Sequence, residues 1–367
     1  MAGVTIAAIS GNNGILQNAA RAKVETEQAT EEELKKLTQT EAAMHFEEYE
    51  YTDINGTKVN IPAKCAISQV EGENSLEYGL VIIDVKGNEW VCVEVPKSEM
   101  PEGLKFENET DYTAAEAALK TYASDYIESE FTDKWYEGCG LEENEYIELK
   151  QKMLKSIYEN GGFYIGRYET GSFNNPVTSN DITREAVIQK GAYPYNFVTI
   201  EQAQEISKNL AIEDKTCSPI FGIQWNLTCK FLEKSVLTPS QINNDSKGWG
   251  NYNCWGDDYD KASIVLSNGK YSESPETSNQ WLDIIPGTRT YRMLVTTGAS
   301  EMTRKMNIYD FAGNTWEWTL EWNNDIGSPS TVRGGSFAYN GTASASHRNR
   351  NPISSSIEDI GFRTTLY

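Results

Sequence analysis

The chain has 367 residues, 39% of them hydrophobic and 11% aromatic, which is enough apolar surface for a sizeable core in one or two domains. Fifty-four acids against 32 bases give a formal charge of -22, which repels nucleic-acid backbones and anionic lipid surfaces, so no nucleic-acid partner is expected. Six cysteines (Cys65, Cys92, Cys139, Cys217, Cys229, Cys254) permit disulfides but fit no metal-binding spacing, and buried free thiols are an equal alternative.

Ala2 to Ser10 is apolar yet far shorter than the roughly 20 residues that span a bilayer, and it lacks a basic flank or a signal-peptide cleavage pattern. Residues 14–44 read as a helix, rich in Ala and Glu, with opposite charges at i, i+3 and i+4 distances from Glu25 to Lys36. From Phe46 the pattern alternates Tyr, Thr, Val and Ile around an Asn55-Gly56 turn, which predicts hairpins. Acid-rich helices follow over Tyr112–Glu128 and Glu142–Glu159. Thr199 with Gln202 forms a capping box that opens a helix running to Leu210. The apolar stretch between Cys217 and Cys229 reads as strand or helix core, and residues 239–290, full of Asn, Gly, Ser and Trp, read as long ordered loops.

The tail carries most of the information. Asp310 to Trp318 reads DFAGNTWEW, Arg333 to Phe337 reads RGGSF, and Gly361-Phe362-Arg363 closes the chain's last polar run, Ala338 to Asp359. These blocks resemble the C-terminal half of the formylglycine-generating enzyme family, which has a C-type-lectin-like fold. Gly162–Glu169, Tyr193–Ala203 and Gly222–Trp225 resemble that family's opening strand and first helices, and Tyr78–Asp84 with Gly87–Pro96 resembles the lead-in of clostridial members. The resemblance implies an α+β, C-type-lectin-like (formylglycine-generating-enzyme-like) domain over 46–367, preceded by an N-terminal α-helix within 1–45. Gly3-Val-Thr-Ile, Gly11–Gln17 and Asn18–Glu27 resemble the segment after the membrane-embedded half of the helix in type IV pilin-like proteins. That likeness implies an extracellular, cell-surface or pilus-associated protein, its native anchor replaced at Met1, with pilus subunits as partners through the helix. An ordinary acidic surface helix is the alternative.

Family enzymes hold copper with two cysteines a few residues ahead of an Arg. Counting back from Gly361 places that Arg at Arg348 and the cysteine positions at Ala345 and Asn340, so neither thiolate that copper requires is present. The histidines are His45 and His347, and no Ser-His-Asp order, HExxH, phosphate-cradling Gly-rich loop or CxxC pair occurs. No catalytic residues and no required cofactor are therefore expected. An oxidoreductase with a non-standard site, drawing Cys217, Cys229 or Cys254 to the loop, is the alternative.

The tail also resembles the variable proteins of diversity-generating retroelements, in which adenine-directed mutagenesis randomises codons between RGGS and GFR. Mutated AAC codons become codons ending in C, which encode no Lys, Glu, Gln, Met or Trp. These five types form about a quarter of the chain, yet Glu358 is their one representative from Ala338 to Ile360. A Ser/Asn-rich loop that disfavours long side chains is the plainer alternative. The resemblance implies a non-catalytic, surface-displayed binder of adhesin or receptor type, diversified within 333–363 and directed at an unknown protein or glycan. Its contacts are expected from Phe337, Ala338, Tyr339, Asn340, Thr342, Ser344, Ser346, His347, Asn349, Arg350, Asn351, Ser354 and Ser356, much as paratopes combine rigid aromatics with small polar partners. Arg333, Arg348, Arg350 and Arg363 mark either a locally basic patch or, for Arg333 and Arg363, structural pairing with buried carboxylates. The family likeness also implies a structural calcium at Asn314 and Glu317, with oxygen ligands suited to that ion; a turn cap and a Glu–Arg pair is the competing reading.

Overall fold

The computed structural model describes residues 15–174, 180–252, 261–265, 270–274, 278–283, 289–291 and 294–367. The expected first helix is α1 (Ile15–Ala42). Its C-terminal half docks on the domain: Thr38 and Ala42 are fully buried, Lys35 Nζ lies 3.1 Å from Glu89 Oε1, and Gln39 Nε2 donates to Val85 O at 2.8 Å. Ala22, Lys23 and Glu25 to Glu27 are exposed. The apolar stretch Ala2–Ser10 lies outside the described residues. Among those residues no helix is long and apolar enough to cross a membrane.

The hairpin at Asn55-Gly56 is present as β1 (Tyr49–Thr52) and β2 (Lys58–Ile61), paired antiparallel. Gly56 takes φ +81, and Asp53 Oδ1 accepts from the backbone N–H groups of Asn55 and Thr57, so the turn closes as its sequence dictates. Next come β3 (Cys65–Ile67), β4 (Val81–Asp84), β5 (Glu89–Glu94), α2 (Glu109–Tyr122), β6 (Phe131–Thr132), α3 (Glu143–Asn160) and β7 (Gly162–Gly166). The first acid-rich helix thus starts and stops earlier than its composition suggests. Asn108 Oδ1 caps it, accepting from Thr110 and Asp111 N–H, and a short 3-10 turn over Ser124–Tyr126 follows it. In α3, Gly161 adopts φ +70 as the left-handed C-cap.

The remaining elements are β8 (Gly171–Ser172), β9 (Tyr193–Pro194), α4 (Ile200–Lys208), β10 (Cys217–Pro219), α5 (Gly222–Leu232), α6 (Pro239–Asn243), β11 (Lys261–Val265), β12 (Lys270–Ser274), β13 (Ser278–Asp283), β14 (Arg289–Tyr291), β15 (Trp316–Asn323), β16 (Ser330–Arg333), β17 (Arg348–Asn351), β18 (Ile360–Phe362) and β19 (Thr364–Leu366). The Thr199–Gln202 capping box opens α4 as expected. Residues 239–290 depart from the loop expectation: α6 and the antiparallel pairs β11–β14 and β12–β13 occupy much of the span. Their Asn, Gly and Ser content reads as loop, but β pairing outweighs local propensity there.

Two sheets build the body. One runs β10-β19-β7-β5-β4-β3, so the last strand is held between β10 and β7 as an interior strand, one in from the edge. The other runs β17-β16-β15-β18, with β6 also on β15; β15 pairs parallel with β18 and antiparallel with β16. The larger core packs Val81, Val91, Phe163, Trp225, Trp318 and Phe362 with the inner faces of α2, α3, α4 and α5. A second cluster, around Trp90, Tyr168 and Tyr309, lies toward β2 and β3. Cys65, Cys92, Cys139, Cys217 and Cys229 are buried free thiols. Cys254 lies outside the described residues. The molecule is the α+β, lectin-like architecture expected from the tail motifs.

Candidate functional site

Central strand β15 alternates Trp316, Trp318 and Leu320 with Glu317, Thr319 and Glu321, and all six are buried. Its carboxylates are therefore buried, and each is matched by arginine. Glu317 Oε1 lies 2.7 Å from Arg363 Nη2, and Arg363 also donates to Gly166 O and Tyr309 O. Glu321 serves two arginines at once. Arg348 Nε donates to its two oxygens at 3.0 and 3.1 Å, and Arg333 Nη1 to Oε2 at 3.3 Å. Asn226 Oδ1 accepts from both guanidinium groups, Ser346 O from Arg333, and Tyr126 O and Glu128 from Arg348. Burial, then Arg348 beside it, pushes Arg333 down to about 10.

The expected structural roles of Arg333 and Arg363 hold, and the alternative of a basic patch does not. Arg348 is buried in the same network, and exposed Arg350 is engaged by Glu130. Sequence reading missed Glu321 and Asn226 because the arginines they serve lie on other strands. Their only signal was the excess of buried-type aromatics around two acids in TWEWTLEW.

The calcium expectation meets a donor set that does not fit a cation. Both Glu317 oxygens accept from Arg363 Nε at 3.2 and 3.1 Å. Asn314 Oδ1 accepts from Asn251 Nδ2 and Val295 N, each at 3.0 Å, and Asn314 Nδ2 donates to Glu169 Oε2 at 2.5 Å. N–H groups thus point at the oxygens a metal would need. Asn314 instead holds a left-handed turn, φ +62, and Glu169 is spent on Thr315 N–H and Oγ1. Burial, followed by the nearby Asp310 and Glu317, holds the Glu169 carboxyl well above the usual carboxylate range.

Over this frame the chain from Gly334 to Asp359 loops out and returns. A Cβ on Gly335, φ +77, would come within 2.1 Å of Ala343 O, so the tight turn after β16 requires glycine. Gly341 is similarly confined by Asp245 Oδ1 at 2.2 Å and Lys247 N at 2.5 Å. The loop is pinned from below. Ser344 Oγ donates to Asn243 O, Ala345 N to Ser246 Oγ, and Trp225 Nε1 to Ala345 O. In β17, paired with β16, Arg348 points inward while Asn349 and Asn351 are half-exposed and Arg350 is exposed.

The thirteen expected contact residues therefore divide. Tyr339, Asn340, Thr342, His347, Arg350 and Ser354 are exposed, and Ala338, Asn349, Asn351 and Ser356 are half-buried. Phe337, Ser344 and Ser346 are buried and present no side chain to a ligand; Ser344 ties the loop to α6, and the Ser346 carbonyl accepts from Arg333. Trp316, just outside the loop, floors the exposed group: its ring lies 5.4 Å from Tyr339, edge on, and 5.9 Å from His347. Partial burial of its otherwise exposed ring lowers the His347 pKa.

The two positions that the family likeness marks for thiols differ in setting: Asn340 is exposed and Ala345 fully buried. Among the described cysteines, burial pushes the thiols of Cys92 and Cys229 up to about 12 and raises those of Cys65, Cys139 and Cys217. None of these is a thiolate at neutral pH.

The family model for the sulfatase-modifying factor enzyme 1-like domain matches residues 161–366. No curated protein matches the chain. Among solved structures, the chain is similar to Treponema denticola variable protein 1, with 12% sequence identity and a TM-score of 0.25, over 87% of this chain and 98% of that one.

Proposed function

This chain belongs to the family of sulfatase-modifying factor enzyme 1-like domains, and from that premise we propose that it is a non-catalytic ligand-binding protein whose recognition surface lies between Ala338 and Asp359. The observation that carries the reading is the division of that segment. A buried set, Gly341 to Ser346 less Thr342, together with Arg348, fixes the backbone, while Tyr339, Asn340, Thr342, His347 and Asn349 project from it. Such a surface tolerates exchange of its outward side chains at little cost in stability, since substitutions away from buried features usually fall within about 0.5 kcal/mol. The amphipathic rings of Tyr339 and His347 over Trp316 supply contact area, and the amides of Asn340 and Asn349 adaptable hydrogen bonds. Diversification by a retroelement is part of the proposal, supported by the scarcity of Lys, Glu, Gln, Met and Trp in the segment. So is display at the cell surface or on a pilus through the N-terminal helix, for which the exposed Ala22, Lys23 and Glu25 to Glu27 are the support.

An oxidase reading finds little support: the described thiols are buried and protonated. Sequencing this locus across related isolates tests the proposal. Substitutions at adenine positions are expected to concentrate at the codons for the outward residues, beside a template repeat and a reverse transcriptase. A tail as invariant as the core would refute it, and a thiol-oxidation product from purified protein would favour the enzyme.

A further inference from the structure

Strand β17 is the margin of the smaller sheet, and among the described residues its outer side has no neighbour. The sheet runs β17-β16-β15-β18, and Arg348–Asn351 pair antiparallel with β16. The opposite margin is occupied at Phe362 of β18, whose carbonyl accepts from Thr170 N–H at 3.0 Å. At β17, among the described residues, no N–H or carbonyl of Arg348, Asn349, Arg350 or Asn351 bonds anything outside β16. Main-chain groups alternate between the two sides of an antiparallel strand, so every second residue of this edge presents an N–H and a carbonyl outward.

The segment that meets the arginines of β17 leaves this edge open. Trp322 of β15 lies opposite Ser330 on one side and Thr132 on the other, and Ser330 lies opposite Asn351. β6 and β17 therefore stand on opposite sides of β15. Arg348 and Arg350 cross the sheet face to reach Phe131, each guanidinium carbon 5.4 Å from its ring centroid, so that contact covers a face of β17 and not its edge. Asn349, Arg350 and Asn351 all keep solvent-accessible surface. Both ends of the strand are closed by turns, His347 N–H donating to Ser344 O and Ser355 N–H to Pro352 O, and Pro352 has no N–H of its own. What remains is a straight run of four residues with one side unpaired.

We propose that β17 pairs with an extended segment of a partner protein, which adds a strand to the outer edge of the smaller sheet. Main-chain bonds of this kind form whatever side chains stand on β17, while Asn349, Arg350 and Asn351 select among strands through the side chains beside them. A recognition surface whose side chains are exchanged thus keeps a constant share of its affinity through every exchange. A second copy of this chain is the wrong occupant, because two bodies of formal charge -22 repel each other. The same field favours a partner segment that carries lysine or arginine. The proposal rests on the preceding reading for the ligand's position and narrows the ligand to a protein; the open edge is independent of that reading.

The test is a titration of the isotope-labelled full chain with the acetylated and amidated peptide Lys-Thr-Val-Thr-Val-Thr-Lys to millimolar concentration, following the backbone amides of Arg348–Asn351 by NMR. In the free chain, alternate amides of β17 are expected to exchange quickly with solvent, and to become protected as the peptide saturates. Methylating the peptide's amide nitrogens at one set of alternate residues is expected to weaken binding about tenfold or more, and at the other set to leave it unchanged, since one set faces β17. Protection of all the β17 amides in the free chain overturns the proposal, because the edge is then already covered. It is also overturned if no β17 amide shifts saturably, or if the two methylated peptides bind alike. Shifts at β17 that grow with protein concentration in the absence of peptide mark pairing between copies and refute the partner strand. A selected protein ligand that is lost on Tyr339→Ala, yet leaves the β17 amides exchanging as in the free chain, refutes strand addition and leaves the recognition surface standing. An invariant locus together with the one-sided methylation effect does the reverse.

Discussion

Replacing Glu321 with Gln removes the single carboxylate on which two buried arginines depend. The amide keeps the shape and one acceptor oxygen, but Arg333 retains only Asn226 and Ser346 O, both neutral, and Arg348 keeps Glu128 as its one remaining charge partner. Breaking a buried ion pair from one side costs about 3–5 kcal/mol, because the other charge stays desolvated. Two cations share the loss here, so the upper half of that range is expected. Urea unfolding followed by circular dichroism should show a lower midpoint at unchanged slope. Hydrogen exchange should quicken at the Ser346 to Arg350 amides, since Arg348 anchors β17. The exposed pair Arg350–Glu130 provides the contrast, Glu130→Gln costing at most about 1 kcal/mol. A loss below about 1 kcal/mol for Glu321→Gln, equal to that of Glu130→Gln, would refute the argument that this carboxylate holds the proposed recognition surface in place.

Gly341→Ala should destabilise by about 1–3 kcal/mol in the same assay, because the added methyl meets the Lys247 backbone, which cannot move aside as a flexible side chain would. His347 titrates below the ordinary imidazole value of 6.5 in the folded state, so the unfolded chain binds the proton more readily. Stability should therefore be fully present above pH 6.5 and fall as the pH drops through the folded pKa, an effect that His347→Gln removes in a pH series of urea midpoints. Cys65, Cys92, Cys139, Cys217 and Cys229 should resist a thiol reagent at pH 8 in native protein and react on unfolding, since burial keeps them protonated.

Local chemistry was legible where it is self-contained. The Asn55-Gly56 turn, the Thr199–Gln202 cap and the long first helix each follow from a few neighbouring residues. So did the scaffold roles of Arg333 and Arg363, because arginine between glycines and aromatics leaves few other uses. The division of the loop was not legible. Whether Ser344 faces Asn243 or solvent is decided by α6, one hundred residues earlier in the chain, and Ser354 of the same type and a similar neighbourhood is exposed. Residues 239–290 misled because Asn, Gly and Ser are read as turn formers even where strands pair.

The docking of α1 has a mechanical consequence. Force applied to its N-terminal end meets the domain at Gln39, which bonds Val85 O, and at Lys35, whose ammonium bonds Glu89, and Arg167 in turn donates to Glu89 at 2.8 Å. Glu89 opens β5 and Arg167 follows β7, neighbouring strands near the centre of the larger sheet. Tension on the helix is thus delivered to interior strands, which must shear several hydrogen bonds together, and not to an edge strand that would unzip one bond at a time. The smaller sheet, which carries the proposed recognition surface, lies off this line of load and keeps its own strand pairing while the larger sheet is strained.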